Sequence, residues 1–125
     1  MAGPDRAGME NEEVVAMTFS ERTADQIRRA MKKTPGWSER QMFRGVTFMV
    51  KGNMCCGVLD EHLVVRVGPD AYEGALREPH TRPMDFTGRP LRGFVFVERK
   101  GFKSDRSLAK WIDRGMKFVA TLPPK

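Results

Sequence analysis

Few residues in this chain can do covalent chemistry, and their spacing limits what they can do. Cys55 and Cys56 are adjacent and make up the whole cysteine content. The histidines, His62 and His80, stand apart from each other and from the thiols. A metal centre needs Cys and His at ligand spacing, which neighbouring cysteines and a distant His do not supply. No serine lies in a nucleophile-elbow pattern, and no glycine loop has the strand-to-helix setting that cradles phosphate. Either cysteine can be read as a reactive thiol, but a small buried hydrophobe is the simpler reading. Asp85, between Met84 and Phe86, can be a buried acid paired with Arg82 or Arg89. Holding its loop by hydrogen bonds is the simpler role. The expectation is a protein that is not an enzyme, with no catalytic residues, no cofactor and no metal.

What the composition does support is electrostatic recognition. The formal charge is +6, and it is unevenly spread: residues 1–81 balance at −1 and residues 82–125 at +7. Arg106, Lys110, Arg114 and Lys117 recur three or four residues apart, so a helix places them on one face. Arg89 and Arg92 precede the last apolar strand. These six residues form the candidate interaction surface. A clustered basic face can hold an acidic protein or a phosphate backbone, or it can be merely solvated. No zinc finger, basic heptad or aromatic RNA-binding consensus accompanies it. The preferred reading is docking on a protein partner that the sequence does not identify. Direct nucleic-acid binding by the same surface is the alternative, and a small-ligand site or enzyme in the long loop ranks last.

The elements that would position these residues can be read from periodicity. A chain of 125 residues fits one domain with its own core, and 40% hydrophobic with 30% charged content is ordinary for a globular chain. No apolar run approaches the ~18 residues of a membrane span, and the N-terminus lacks a signal-peptide pattern. With no cysteines beyond the adjacent pair, a reducing, cytoplasmic setting fits. Residues 1–17 lack periodicity and read as a disordered tail before a domain spanning 18–125. Thr18 or Ser20 caps a first helix, with Ala24, Ile27, Ala30 and Met31 inward and Arg28, Arg29, Lys32 and Lys33 outward. Thr34-Pro35-Gly36 stops it. Trp37 to Phe43 leads into the sheet and can form a short edge strand.

Met42 to Val67 then holds three short β-branched and aromatic runs separated by Lys51-Gly52-Asn53 and Asp60-Glu61-His62. That is an antiparallel three-strand meander. Its first register stays open. With Lys51-Gly52 as the loop, Val50 faces Asn53 and Phe48 faces Cys55; with Gly52-Asn53, Phe48 faces Gly57. In either case strand alternation sends Cys55 and Cys56 to opposite faces, one buried and one exposed, which disfavours a disulfide between them. Pro69 opens a short helix at its first position, with Ala71, Tyr72, Ala75 and Leu76 apolar. His80 to Gly93 is a long turn-rich connection that is either functional or hides short strands, pinned by Met84, Phe86 and Leu91. Phe94–Val97 is a strand. Ser104 caps a final helix with the stripe Leu108, Trp111, Ile112, Gly115, Val119 and Leu122, ended by Pro123-Pro124. Phe96 and Trp111 belong to one core cluster or to adjoining ones. The fold class is α+β: an antiparallel sheet, meander plus a later strand, packed with an N-terminal and a C-terminal helix.

Several stretches carry a family resemblance. Gln41 to Met54 resembles the KMFGGxGFMxxGxMF stretch of the TfoX (Sxy) N-terminal domain family. Leu63 to Pro69, Arg82 to Gly93 and Leu108 to Ile112 continue the similarity in order, over nearly the whole chain from Ser20 to Pro124. The resemblance implies a bacterial α+β domain with an antiparallel sheet and no catalytic residues. In two-domain competence regulators, which act as transcriptional co-activators of DNA-uptake genes, this domain precedes a helical one. This chain reads as the N-terminal domain standing alone. Arg44 stands where the family usually has glycine.

Overall fold

The structure is a computed structural model, and it describes residues 21–42, 45–84 and 91–125. The tail, the Thr18 and Ser20 caps, Arg44, Asp85, Phe86 and Arg89 lie outside the described residues.

The element order is α1 (Glu21–Met31), β1 (Trp37–Met42), β2 (Gly45–Val50), β3 (Asn53–Leu59), β4 (His62–Arg66), α2 (Tyr72–Leu76), β5 (Thr81–Pro83), β6 (Phe94–Val97), a 3-10 turn (Arg99–Phe102) and α3 (Asp105–Val119). The strands form one six-stranded sheet in the order β1-β2-β3-β4-β6-β5, with every pairing antiparallel. The expected α+β class holds, and β1 is the edge strand that Trp37 to Phe43 suggested. The long connection does hide a strand, β5. Its Pro83 lacks an amide donor and sits, as that requires, on the outermost strand.

Helices α1 and α3 pack against each other and on one face of the sheet. Their inward residues meet Val46, Phe48, Val58, Leu63, Val65, Val95 and Val97 in a single core. Phe96 alternates to the opposite face. There it is 7% exposed beneath the Arg82 guanidinium, 5.3 Å from the ring centre, and beside the His62 ring. Trp111 belongs to the helix-side core, so these two aromatics occupy opposite sides of the sheet.

The β2–β3 hairpin closes through Lys51 and Gly52, both at positive φ (50° and 84°), as a two-residue hairpin turn requires. Val50 therefore faces Asn53, but Phe48 faces Cys56, which is neither of the registers the sequence left open. A β-bulge between Phe48 and Met49 supplies the missing residue, leaving Cys55 without a partner. The bulge overturns the expected split of the two cysteines, and both are fully buried.

Three local expectations also shift. Helix α2 begins at Tyr72 rather than at Pro69, because Gly68 at positive φ and the following turn consume the residues before Ala71. Leu91 does not pin its loop; it is 39% exposed, although its amide bonds the Met84 carbonyl. The last helix ends at Val119, before the prolines. The Thr121 hydroxyl bonds the Phe118 carbonyl and the Leu122 amide bonds that of Val119. Ser104 does cap α3, in a reciprocal box in which Ser107 replaces the usual Glu or Gln.

Candidate functional site

Helix α3 is held at both ends and along its inner stripe, so its outer residues occupy defined positions. Leu108, Trp111, Ile112, Gly115 and Val119 are buried. Gly115 permits the close approach: a Cβ there would lie 2.8 Å from the Cys55 carbonyl oxygen and 3.0 Å from its sulfur. At the N-terminal end, Arg99 donates to Thr23 and to the Gln26 side-chain carbonyl, while the Gln26 amide donates to Asp105. This network joins α1, the 3-10 turn and the first residue of α3. Arg99 was not among the sequence candidates. Its signal is only an arginine between Glu98 and Lys100, which does not separate a clamp from a surface charge.

The six predicted basic residues do not act as one patch. Arg89 lies outside the described residues. Arg92 sits over the Tyr72 ring of α2, 5.9 Å from its centre. Arg114 is bonded to Glu78 at 2.6 Å and stacks over Trp111 at 4.3 Å, so its charge is neutralised and its plane is occupied. Lys117 is within 3.3 Å of Asp113 one turn back. Arg106 and Lys110 are exposed and have no carboxylate partner among the described residues.

Those two free cations flank a groove of about 450 Å³ between α1 and α3. Its floor is Ala30, Ala109, Ile112 and Met116, and Asp113 lies at its margin. On the α1 side, Arg29 and Lys33 are exposed one residue before and three residues after Ala30. The groove is thus small, apolar along much of its lining, and cationic on its α3 side. Sequence periodicity found the α3 rim. It missed the groove, because nothing local says that a helix ending at Met31 and one starting at Asp105 are neighbours. Another basic residue of α1 is differently employed. Arg28 bonds both carboxylate oxygens of Glu39 at 2.8 Å and Asp25 at 2.6 Å, and the Glu39 bond in particular raises its already high pKa. It ties α1 to the edge strand.

Beneath the groove lie the thiols. Asn53, Cys55, Cys56 and Val58 all face the helices, because the bulge lets two consecutive residues share one side. The Cys55 S–H points at the Ile112 carbonyl, 4.0 Å away. Hydrogen bonding to Cys55, then complete burial, pushes the Cys56 thiol well above the ordinary cysteine range. On the opposite sheet face, Arg82 bonds His62 at 3.1 Å, and because a guanidinium can only donate, His62 Nε2 is the acceptor. Among the described residues, no group of three or more His, Cys, Asp and Glu is placed to hold a metal ion. No helix among them is long and apolar enough to cross a membrane.

No curated protein and no solved structure significantly matches this chain. The family model described as the TfoX N-terminal domain matches residues 29–119, which includes the whole sheet, the last three residues of α1 and all of α3. The chain belongs to the TfoX N-terminal domain family.

Proposed function

We propose that the protein is a non-enzymatic regulatory module that docks an acidic partner protein in the groove between α1 and α3. The observation that supports this reading is the groove's composition: alanine, isoleucine and methionine side chains beside the exposed cations Arg106 and Lys110. An apolar floor suits the side chains of an amphipathic helix or extended segment, and Arg106 and Lys110 suit its acidic residues. A phosphate backbone would use those cations and leave the floor unpaired. It would also gain little from Arg114 and Lys117, which already have carboxylate partners. A transcription-linked, cytoplasmic role is the setting that the family resemblance suggests for such docking.

A photo-crosslinking residue at Ala109, in the groove, and another at Glu61, exposed in the β3–β4 turn, test this in native cells. The expected result is a nuclease-resistant protein adduct at position 109 only, lost when Arg106→Glu and Lys110→Glu are combined. Labelled DNA and RNA titrated at several salt concentrations test the alternative. Six phosphate contacts would give a log–log slope near −5. Sub-micromolar nucleic-acid binding at ~150 mM salt, abolished by the same charge reversals, would replace docking with nucleic-acid recognition.

A further inference from the structure

We propose that Cys55 and Cys56 form an oxidisable dithiol whose conversion to a disulfide resets the seat of α3, and with it the docking groove. The inference rests on the docking reading for its consequence, though not for its chemistry. It starts from geometry. In a regular strand two adjacent cysteines point apart, but the bulge opposite Phe48 and Met49 turns both toward the helices. Both side chains are fully buried there, in one core cluster. The Cys55 S–H is directed at the Ile112 carbonyl of α3.

The pair is also in contact with the element it would control. Ile112, whose carbonyl receives the Cys55 S–H, contributes to the groove floor. Gly115, one helical turn further on, leaves no room for so much as a methyl group between α3 and Cys55. A change in the position of that sulfur therefore acts directly on α3.

The oxidant required is a small peroxide. One thiol, as its thiolate, attacks the O–O bond of hydrogen peroxide and becomes a sulfenic acid, with water leaving. The second thiol then displaces the sulfenic hydroxyl as water and closes the S–S bond. Two thiols and one peroxide give one disulfide and two waters, a two-electron oxidation of sulfur balanced by reduction of the peroxide oxygens. The S–H donor to Ile112 disappears in the process. Adjacent Cα atoms are about 3.8 Å apart, below the roughly 4.4–6.8 Å usual for disulfides, so the ring is strained and readily reduced. The switch is thus reversible by a dithiol. Since both thiols are fully buried and Cys56 is held protonated, oxidation proceeds from states in which α3 has lifted.

The test uses the full chain with Trp37→Phe, leaving Trp111 of α3 as the fluorescence reporter. Native protein is treated with hydrogen peroxide and followed by intact mass and emission. The expected result is loss of two hydrogens and of both thiols, a red shift of Trp111, and about fivefold faster amide exchange in residues 108–116, the factor for one lost net hydrogen bond. Dithiothreitol should reverse all three. Cys55→Ala and Cys56→Ala should each abolish the reversible change, and the two variants control for one another if either folds poorly. Oxidation that stops at sulfenic or higher acids, or a disulfide that leaves Trp111 and the exchange rates unmoved, overturns the proposal. Adduct yield from the crosslinker at Ala109, compared in reduced and oxidised protein, then separates the two claims. A reversible disulfide with a moved α3 but an unchanged adduct refutes regulation of docking while leaving docking itself in place. Absence of any adduct in the reduced protein refutes the docking reading alone, because the disulfide, Trp111 and exchange readouts need no partner.

Discussion

The inner and outer sides of α3 obey different physics although they share one backbone. Inward, Leu108, Trp111, Ile112, Gly115 and Val119 each meet particular neighbours, and their energies come from excluded water and close packing. Outward, Arg106 and Lys110 are exposed with no carboxylate partner among the described residues, and Arg114 and Lys117 meet carboxylates that are themselves about half exposed. The inner side therefore sets how stably the helix sits. The outer side is free to be chosen for recognition, because changing it costs the fold little. Substitutions that break this division would show that the two sides are not separable.

The largest effect is expected at Trp111. It is 6% exposed and packs in the core against the sheet. Trp111→Ala should cost about 3–5 kcal/mol in denaturant unfolding. It would also free Arg114 from its stack. A loss below ~1 kcal/mol would mean that the inner side of α3 is not what holds the helix.

Gly115→Ala sharpens the comparison because two effects oppose each other. In a helix interior alanine is favoured over glycine by about 1 kcal/mol. Here the added methyl would lie 2.8 Å from a backbone oxygen of β3, and backbone cannot swing aside as a side-chain tip can. Overpacking of that kind costs about 1–3 kcal/mol, so the net change should be destabilising. Stabilisation in thermal unfolding would show that α3 can slide on the sheet, and would weaken the argument that Cys55 controls its seat.

These two positions also show what could be read before any coordinates. The 3.6-residue stripe of α3 and the alternation of the meander are local signals, so both elements and the antiparallel sheet were legible. Position 115 was recognised as part of the stripe, but the reason for glycine there is a strand sixty residues away. The bulge was invisible for a similar reason. Met54-Cys55-Cys56 reads as regular alternation, and only the partner strand reveals that Cys55 is the extra residue. The same holds for the groove: its lining joins Ala30 of α1 to residues of α3, and it exists only once the helices touch. Arg114 was read as one of a row of like charges, whereas its carboxylate, Glu78, comes from the connection after α2.

Arg114→Ala is expected to have an intermediate effect. The pair with Glu78 is about one-third to two-fifths exposed, which limits it to roughly 0.2–1 kcal/mol, and the stack on Trp111 adds about 0.5–1 kcal/mol. A double-mutant cycle with Glu78→Ala separates the two contributions. Arg114→Lys should keep most of the charge interaction and lose the planar stack. If Arg114→Ala matched Trp111→Ala, the outer side would be structural too.

The smallest stability effect, and the most informative one, is expected where the two sides differ most. Arg106 and Lys110 are exposed and have no ion-pair partner among the described residues, so replacing both with alanine removes cations and little packing. The unfolding free energy should change by less than about 0.5 kcal/mol for each replacement. Helix propensity even favours the change slightly, since alanine is the best helix former. Any contact these residues make with a partner would instead appear in association, with weaker binding and a shallower dependence on salt. Thermal unfolding and crosslinking from Ala109 on the same preparation measure both sides at once. Unchanged unfolding with a lost adduct is the outcome the division requires. A marked loss of stability with the adduct retained would place these cations in the scaffold, and the recognition surface would have to be sought elsewhere on the molecule.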